Sequence, residues 1–204
     1  MLLSVHTFLS LDGVMQGPGA PEEDTSNGFD RGGWVVPFAD HLGGVVDDDW
    51  FAQADAILLG RTTYQLMQPY WSAVTDPHDP VATALNGLPK YVVSTTLTSE
   101  TANWAETEVI ADDVIGRVTE LKQASGRELQ VHGSWQLAQT LHSAGLIDIY
   151  RLLVFPVVVG AGKRLFDDSS RPVSFDVVSQ KPSGSLTALE LRPASYRVGS
   201  VLDG

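Results

Sequence analysis

The sequence predicts an α/β fold: a mixed, mostly parallel sheet with helices on both faces and a β-hairpin at one edge. Three observations carry this expectation. Short runs rich in Val, Ile and Leu recur along the chain and are almost continuously apolar, as strands buried on both faces are. Segments of helical period separate them, so successive strands run parallel and the helices cover the sheet. The last two apolar runs are joined by Pro182-Ser183-Gly184-Ser185, a hairpin signal that adds antiparallel strands.

Residues 2–9 read as the first strand, ended by the turn Ser10-Leu11-Asp12-Gly13. Residues 14–46 contain Gly and Pro with little periodicity, and a loop this long is usually functional. Its stretch Gly28-Phe29-Asp30-Arg31-Gly32-Gly33-Trp34 sets aromatics between glycine joints. That composition suits a lid over a flat ring, with Trp34 becoming protected when ligands bind. Residues 47–54 read as a short helix whose acidic first turn matches the helix dipole, and 55–60 as a buried strand. A helix over 61–67 is opened by Thr62 or Thr63, and Pro69 and Pro77 punctuate the loop after it.

Residues 90–95 and 107–110 are further strands. Asp112 is placed to cap a helix with Val114, Ile115, Val118 and Leu121 on one face, ended by Gly126. Residues 128–132 form a strand, and Ser134 caps a helix with Leu137, Ala138 and Leu141 inward, closed by Gly145. A long β-branched strand is expected over 147–159, then the hairpin of 173–179 and 186–191. The tail over 196–201 is expected to add an edge strand. The β-surface of 147–159 and the hairpin exceeds what one small domain needs, and a homodimer is expected through it.

A chain of 204 residues fits a single domain. The absence of cysteine excludes disulfides, thiolate zinc sites and cysteine nucleophiles, and is compatible with a cytoplasmic home. A net charge of −12 argues against nonspecific binding to nucleic acid or anionic membranes. There is no apolar run long enough for a transmembrane helix and no basic leader. The five histidines lack metal-ligand spacing, so no metal site is expected.

Four strand ends carry the candidate chemistry. In Leu58-Leu59-Gly60-Arg61-Thr62-Thr63-Tyr64 a strand passes through Gly into a helix N-terminus, where free amides, the dipole and Arg61 can meet one phosphate. An ordinary capped helix with a surface Arg is an equal reading of that segment alone. Ser94, Thr95 and Thr96 end the next strand with three hydroxyls, where open α/β sheets bind ligands, although a plain polar turn is the preferred reading of that segment alone. His132-Gly133-Ser134-Trp135-Gln136 repeats the strand–Gly–helix pattern, and Gly133 lets backbone amides approach a pyrophosphate. Phe155 to Phe166 ends a strand in Gly160-Ala161-Gly162-Lys163-Arg164, a basic turn able to clamp an anion or simply to reverse the chain. There is no G-x-G-x-x-G, no P-loop and no G-x-S-x-G elbow.

Taken in order, Ser10-Leu11-Asp12-Gly13, Leu59-Gly60-Arg61-Thr62-Thr63-Tyr64, Lys90-Tyr91-Val92-Val93-Ser94, Val131-His132-Gly133-Ser134 and Pro156 to Phe166 resemble the dihydrofolate-reductase-like family. That family includes the C-terminal reductase domain of the bacterial bifunctional riboflavin deaminase/reductase. The resemblance implies a sheet of about eight strands with NADPH bound across the strand ends. It implies that Gly60, Arg61, Thr62 and Thr63, helped by Ser94, Thr95 and Thr96, hold phosphate near the adenosine. Gly133, Ser134, Trp135 and Gln136 would cover the pyrophosphate. Leu11, Asp12 and Gly13 would lie near the nicotinamide and substrate. Asp47 stands three residues before Trp50-Phe51, as a substrate-binding Asp does in dihydrofolate reductase, so Asp12 and Asp47 are the catalytic candidates.

The chain departs from the riboflavin reductases in one respect. They commonly carry an acid before the Gly pair, whereas here His132 precedes Gly133 and Ser134 replaces the second Gly. The expectation is therefore an NADPH-dependent reductase of a small heteroaromatic or imine-like substrate. The alternatives are the 5-amino-6-(5-phosphoribosylamino)uracil reductase step and a nucleotide-binding protein without turnover.

Overall fold

The structure is a computed structural model that describes residues 1–199, apart from the side chains of Asp47 and Asp48. Eight strands form one sheet: β1 (Leu2–Ser10), β2 (Ala54–Gly60), β3 (Lys90–Val93), β4 (Thr107–Ile110), β5 (Glu128–His132), β6 (Ile149–Phe155), β7 (Ser174–Ser183) and β8 (Leu186–Ala194). Their order is β4-β3-β2-β5-β1-β6-β8-β7. The first six pair in parallel; β8 pairs antiparallel with both β6 and β7. The helices are α1 (Arg61–Trp71), α2 (Pro80–Gly87), α3 (Val114–Gln123) and α4 (Trp135–Ser143).

Alternate residues of β2 and β6 enter two separate cores, which is why these strands read as continuous apolar runs. Ile57, Leu59, Leu153 and Phe155 pack under the segment of residues 14–53 together with Tyr64 of α1 and Leu85 of α2. Leu3, Val5, Leu58, Leu129 and Val131 pack under Val118 and Leu121 of α3 and Leu137 and Leu141 of α4. Among the described residues no helix is long and apolar enough to cross a membrane.

The segment after β1 is built into the first core: Val14, Phe29, Trp34, Val35 and Val45 are buried there. The Trp34 indole donates to the Gln16 carbonyl at 2.9 Å, and Arg31 donates to the Val159 carbonyl at 2.6 Å. Gly32 permits one close crossing, since a Cβ there would sit 2.5 Å from the Ala20 carbonyl oxygen. Trp34 is thus already covered by protein, with its ring edge against Phe155 at 5.5 Å. The expectation that ligands would protect it does not follow.

Several boundaries differ from the sequence expectation, each for a local reason. The helix expected over 47–54 begins earlier and is π-wound over Gly44–Trp50, with a 3-10 turn at Phe51–Gln53; Ala54 already pairs in β2. Neither Thr62 nor Thr63 caps α1; the cap position is Gly60, without a side-chain bond. That helix runs on to Trp71 with Pro69 in its last turn. Helix α2 was unexpected, although Asp79 caps it by accepting from Ala82 at 2.8 Å and Pro80 opens it, a standard start signal. The cap of α3 is Asp113, not Asp112, accepting from Gly116 at 3.1 Å. The long strand stops at Phe155, because Pro156 has no N–H for the ladder. Residues 195–199 form no strand, and the rest of the expected tail strand lies outside the described residues.

Candidate functional site

A cavity of about 720 Å³ opens at the carboxyl ends of β3, β2, β5 and β1. It has a polar limb and an aromatic limb. Gly60, Arg61, Thr62 and Thr63, Ser94 and Thr95, and Gly133, Ser134, Trp135 and Gln136 all line the polar limb. The first turns of α1 and α4 meet here, and their leading amides have no carbonyl of their own helix to bond. Gly133 and Ser134 both have φ of 55°, a left-handed pair that turns the chain from β5 into α4. The Ser134 hydroxyl does not cap its helix. It donates to the His132 carbonyl at 3.1 Å and accepts from the Gly60 amide at 2.9 Å. This ties the β2 turn to the β5 turn and sets their spacing.

The Ser94 hydroxyl accepts from the Thr96 and Leu97 amides at 3.1 and 2.9 Å, which holds the turn after β3. Thr96 backs that turn and does not line the cavity. Leu11, Asp12 and Gly13 also lie outside the lining. The Asp12 carboxylate accepts from the Ser10 hydroxyl and from the Val159 and Gly160 amides at 2.7, 3.0 and 2.8 Å. Partial burial raises its pKa, but the bonds from Ser10, Val159 and Gly160 prevail and hold it at about 2. Asp12 thus fastens the β1 turn to the loop after β6, one residue pair away from Met15, which does line the cavity. The Asp47 side chain lies outside the described residues; Val46 and Trp50 of the same π-helical turn line the aromatic limb.

The aromatic limb is walled by Phe8, Trp50, Phe51, Met67, Trp71 and Val81. Phe8 stacks on Trp50 at 5.7 Å, and Phe51 stacks on His132 at 4.6 Å and 3°. His132 stacks in turn on His6 at 4.8 Å. Beneath the rings runs a buried polar network. His6 bonds Ser4 Oγ at 2.9 Å, and Ser4 donates to Glu128 at 3.0 Å. His132 bonds Gln130 Oε1 at 3.0 Å, and Gln130 donates to Glu128 and to the Trp50 carbonyl at 3.1 and 2.7 Å. Arg151 grips Glu128 with two bonds, at 2.6 and 2.8 Å. Burial pushes His132 down to about 3. Burial, then the neighbouring His132 and Arg151, hold His6 well below its ordinary value. Both imidazoles are neutral, so the 3.9 Å approach of His6 to Glu128 is not an ion pair.

The sequence reading missed this network, although a signal was present. Glu128, Gln130 and His132 alternate along β5, as Ser4 and His6 do along β1, and period-two spacing puts each set on one face. The parallel register then pairs Ser4 with Gln130 and His6 with His132. At the far end of the cavity Gln16, Glu23, Asp24 and Lys163 also line it. Lys163 pairs with Asp24 at 2.6 Å and lies 5.6 Å from the Trp135 ring centre. Burial raises the Glu23 carboxyl despite bonds from the Gly19 and Ala20 amides. Among the described residues no cluster of His, Asp and Glu could hold a metal ion.

Comparison with known proteins agrees with this fold. The family described as RibD C-terminal domain matches residues 2–189. A 139-residue stretch is 32% identical to the uncharacterized protein YyaP of Bacillus subtilis (strain 168), covering 67% of this chain and 72% of that protein. The fold superposes with a TM-score of 0.65 on a protein from Shewanella sp. PV-4 whose name places it in riboflavin biosynthesis. That match has 20% identity over 96% of this chain and all of the other. A Thermotoga maritima diaminohydroxyphosphoribosylaminopyrimidine deaminase/5-amino-6-(5-phosphoribosylamino)uracil reductase matches with a TM-score of 0.54 and 16% identity. There the match covers 95% of this chain and 56% of the other.

Proposed function

The chain belongs to the RibD C-terminal domain family, and we propose that it is an NADPH-dependent reductase of a small, planar heteroaromatic or imine-like substrate. The observation that carries this reading is the joining, in one cavity, of two helix N-termini with hydroxyls and Arg61 to a cleft walled by aromatic rings. The first suits phosphates; the second suits a flat ring.

The residues present fit the cofactor. The Arg61 guanidinium and the hydroxyls of Thr62, Thr63, Ser94 and Thr95 offer donors for a terminal phosphate. The α4 amides, beside Gly133, Ser134, Trp135 and Gln136, offer donors for a pyrophosphate. Bound nicotinamide supplies a hydride to the substrate ring. Met15 to Pro18 wall the junction of the limbs, with Leu11, Asp12, Gly13 and Thr96 as supports behind the lining. Phe8, Trp50 and Phe51 clamp the substrate and exclude water. Asp47 is proposed to organise the substrate or its proton, since its helix neighbours wall the aromatic limb.

A second reading, reduction of a pyrimidine bearing a ribose phosphate, is favoured by the family itself. His132, buried and neutral, offers no carboxylate at the position before Gly133, which weighs toward a smaller substrate. Titration with NADPH and NADH, followed by NADPH oxidation across both substrate types, tests the reading. Equal affinity for the two cofactors removes the 2′-phosphate assignment, and binding without oxidation favours a nucleotide-binding protein.

A further inference from the structure

The network under the cavity fixes which nitrogen of each histidine carries its proton. Both bonds from the Gln130 amide nitrogen end on pure acceptors, the Trp50 carbonyl and the Glu128 carboxylate. The Gln130 Oε1 therefore faces His132, and His132 donates to it through Nε2–H. The single proton of the Ser4 hydroxyl goes to Glu128. Ser4 Oγ must then accept from His6, which is also protonated at Nε2. Each ring is neutral, so each Nδ1 is left as a bare acceptor.

Those two lone pairs have no partner. His6 Nδ1 is buried with no hydrogen bond and is closed to the cavity, His6 as a whole being 1% exposed. Nε2 is the one ring nitrogen of His132 that is bonded among the described residues. Both faces of His132 are covered, one by Phe51 at 4.6 Å and the other by His6 at 4.8 Å. With its faces covered and Nε2 spent, the edge bearing Nδ1 is what His132 has to offer the cavity it lines. An acceptor facing the cavity without a protein donor is one that a ligand N–H can bond, whereas a ligand without a donor would displace water from it and leave it unpaired.

We propose that His132 is a specificity residue whose Nδ1 accepts a hydrogen bond from a planar ligand carrying an N–H donor, with His6 stacked behind it to hold the ring in place. The inference deepens the reductase reading and rests on it for the identity of the limb as the substrate site. It narrows the substrate class to rings with an amino or lactam N–H edge. A ring whose heteroatoms only accept would leave His132 unpaired and face its lone pair with one of its own.

The test uses the unmodified protein with nitrogen-labelled histidine and two rings of matched size, indole as donor and benzofuran as non-donor. Long-range proton–nitrogen spectra should show both residues as Nε2–H tautomers. Indole should move the His132 Nδ1 resonance upfield, toward the hydrogen-bonded position, and benzofuran should not. Indole should bind about three- to tenfold more tightly, the worth of one neutral hydrogen bond. His132→Phe, which keeps a flat ring in the stack, should abolish that preference. An Nδ1–H tautomer at His132, equal binding of the two rings, or a preference that survives in His132→Phe overturns the proposal. NADPH titration of the same sample separates the two ideas. Failure there, with the indole response intact, refutes the reductase reading and supports the His132 acceptor by itself.

Discussion

Acidification should unfold this protein through the two cavity histidines. Burial holds His132 at about 3, against an ordinary value near 6.5. The folded-state pKa is the lower one, so between about pH 3 and 6.5 the unfolded chain binds more protons. Stability therefore rises with pH across that window. Read downward, the contribution is intact above about pH 6.5 and is lost as pH falls toward 3. One and a half units into the window, at about pH 5, His132 alone costs about 2 kcal/mol, at about 1.4 kcal/mol per unit. His6 shifts in the same direction and adds to the loss. The groups facing the pair offer no relief: Glu128 is already gripped by Arg151, Ser4 and Gln130. The depressed carboxylates Asp12 and Asp24 release their share only at still lower pH. Glu23, raised by burial, works in the opposite sense, gaining stability on protonation. Against a typical total of about 5–15 kcal/mol the loss is large. Urea unfolding at pH 7 and pH 5, followed by tryptophan fluorescence, measures it in the unmodified protein and in His132→Phe. The unmodified protein should lose about 2 kcal/mol or more, and His132→Phe clearly less. A loss below about 0.5 kcal/mol, or equal losses in the two proteins, refutes the reasoning.

Arg61→Ala should weaken NADPH binding by about 1.5–3 kcal/mol, the usual worth of a charge-assisted bond, and leave NADH nearly unchanged; calorimetric titration with each cofactor checks it. Asp12→Asn should lower stability by about 1–3 kcal/mol, because the Val159 and Gly160 amides lose a charged acceptor. Thermal and urea melts should show that loss, while turnover of the folded fraction stays within a fewfold of normal. Asp47→Asn should reduce turnover far more than NADPH affinity, and steady-state kinetics beside a binding titration separates the two. Light scattering at micromolar concentration should read a dimer. Val177→Lys should shift it toward monomer, since Val177 is 61% exposed on β7, the last strand of the sheet.

The order of strands and the helices α3 and α4 were legible because their apolar residues recur at periods that a covered parallel sheet imposes. Helix α2 was not, because Pro69 and Pro77 read as breakers while Asp79-Pro80, a start signal, passed unread. The π-winding of Gly44–Trp50 has no sequence period of its own and is fixed by tertiary contacts, including the Gln130 bond to the Trp50 carbonyl. Ten of the residues expected to bind the cofactor line one cavity, eight of them in the two strand–Gly–helix turns, which announce themselves locally. The opposing wall was illegible for the converse reason. His6 and the Trp50-Phe51 pair come from separate segments, and their meeting with His132 depends on β5 inserting between β2 and β1. Asp12 shows the limit of local reasoning. The resemblance implied that its side chain lies near the substrate; in the structure two amides 147 and 148 residues away donate to it.

The place of the cavity follows from that insertion. Strand β2 is followed by α1, whose Tyr64 enters the core under residues 14–53, whereas β5 is followed by α4, whose Leu137 and Leu141 enter the other core. Neighbouring parallel strands that send their helices to opposite faces leave a crevice between the two departures. Both helix N-termini then border the same opening, so two sets of unbonded amides arrive together without any phosphate-binding signature in the sequence. The Ser134 hydroxyl bridges this gap from His132 to Gly60, which a second glycine at that position could not do. Here a side chain fixes the width of the crevice, and on one side of it the histidine stack, resting on Glu128 and Arg151, fixes the chemistry of the floor. The polar limb is thus a consequence of topology, and the proposed discrimination among substrates rests on the alternating polar residues of β5, backed by those of β1.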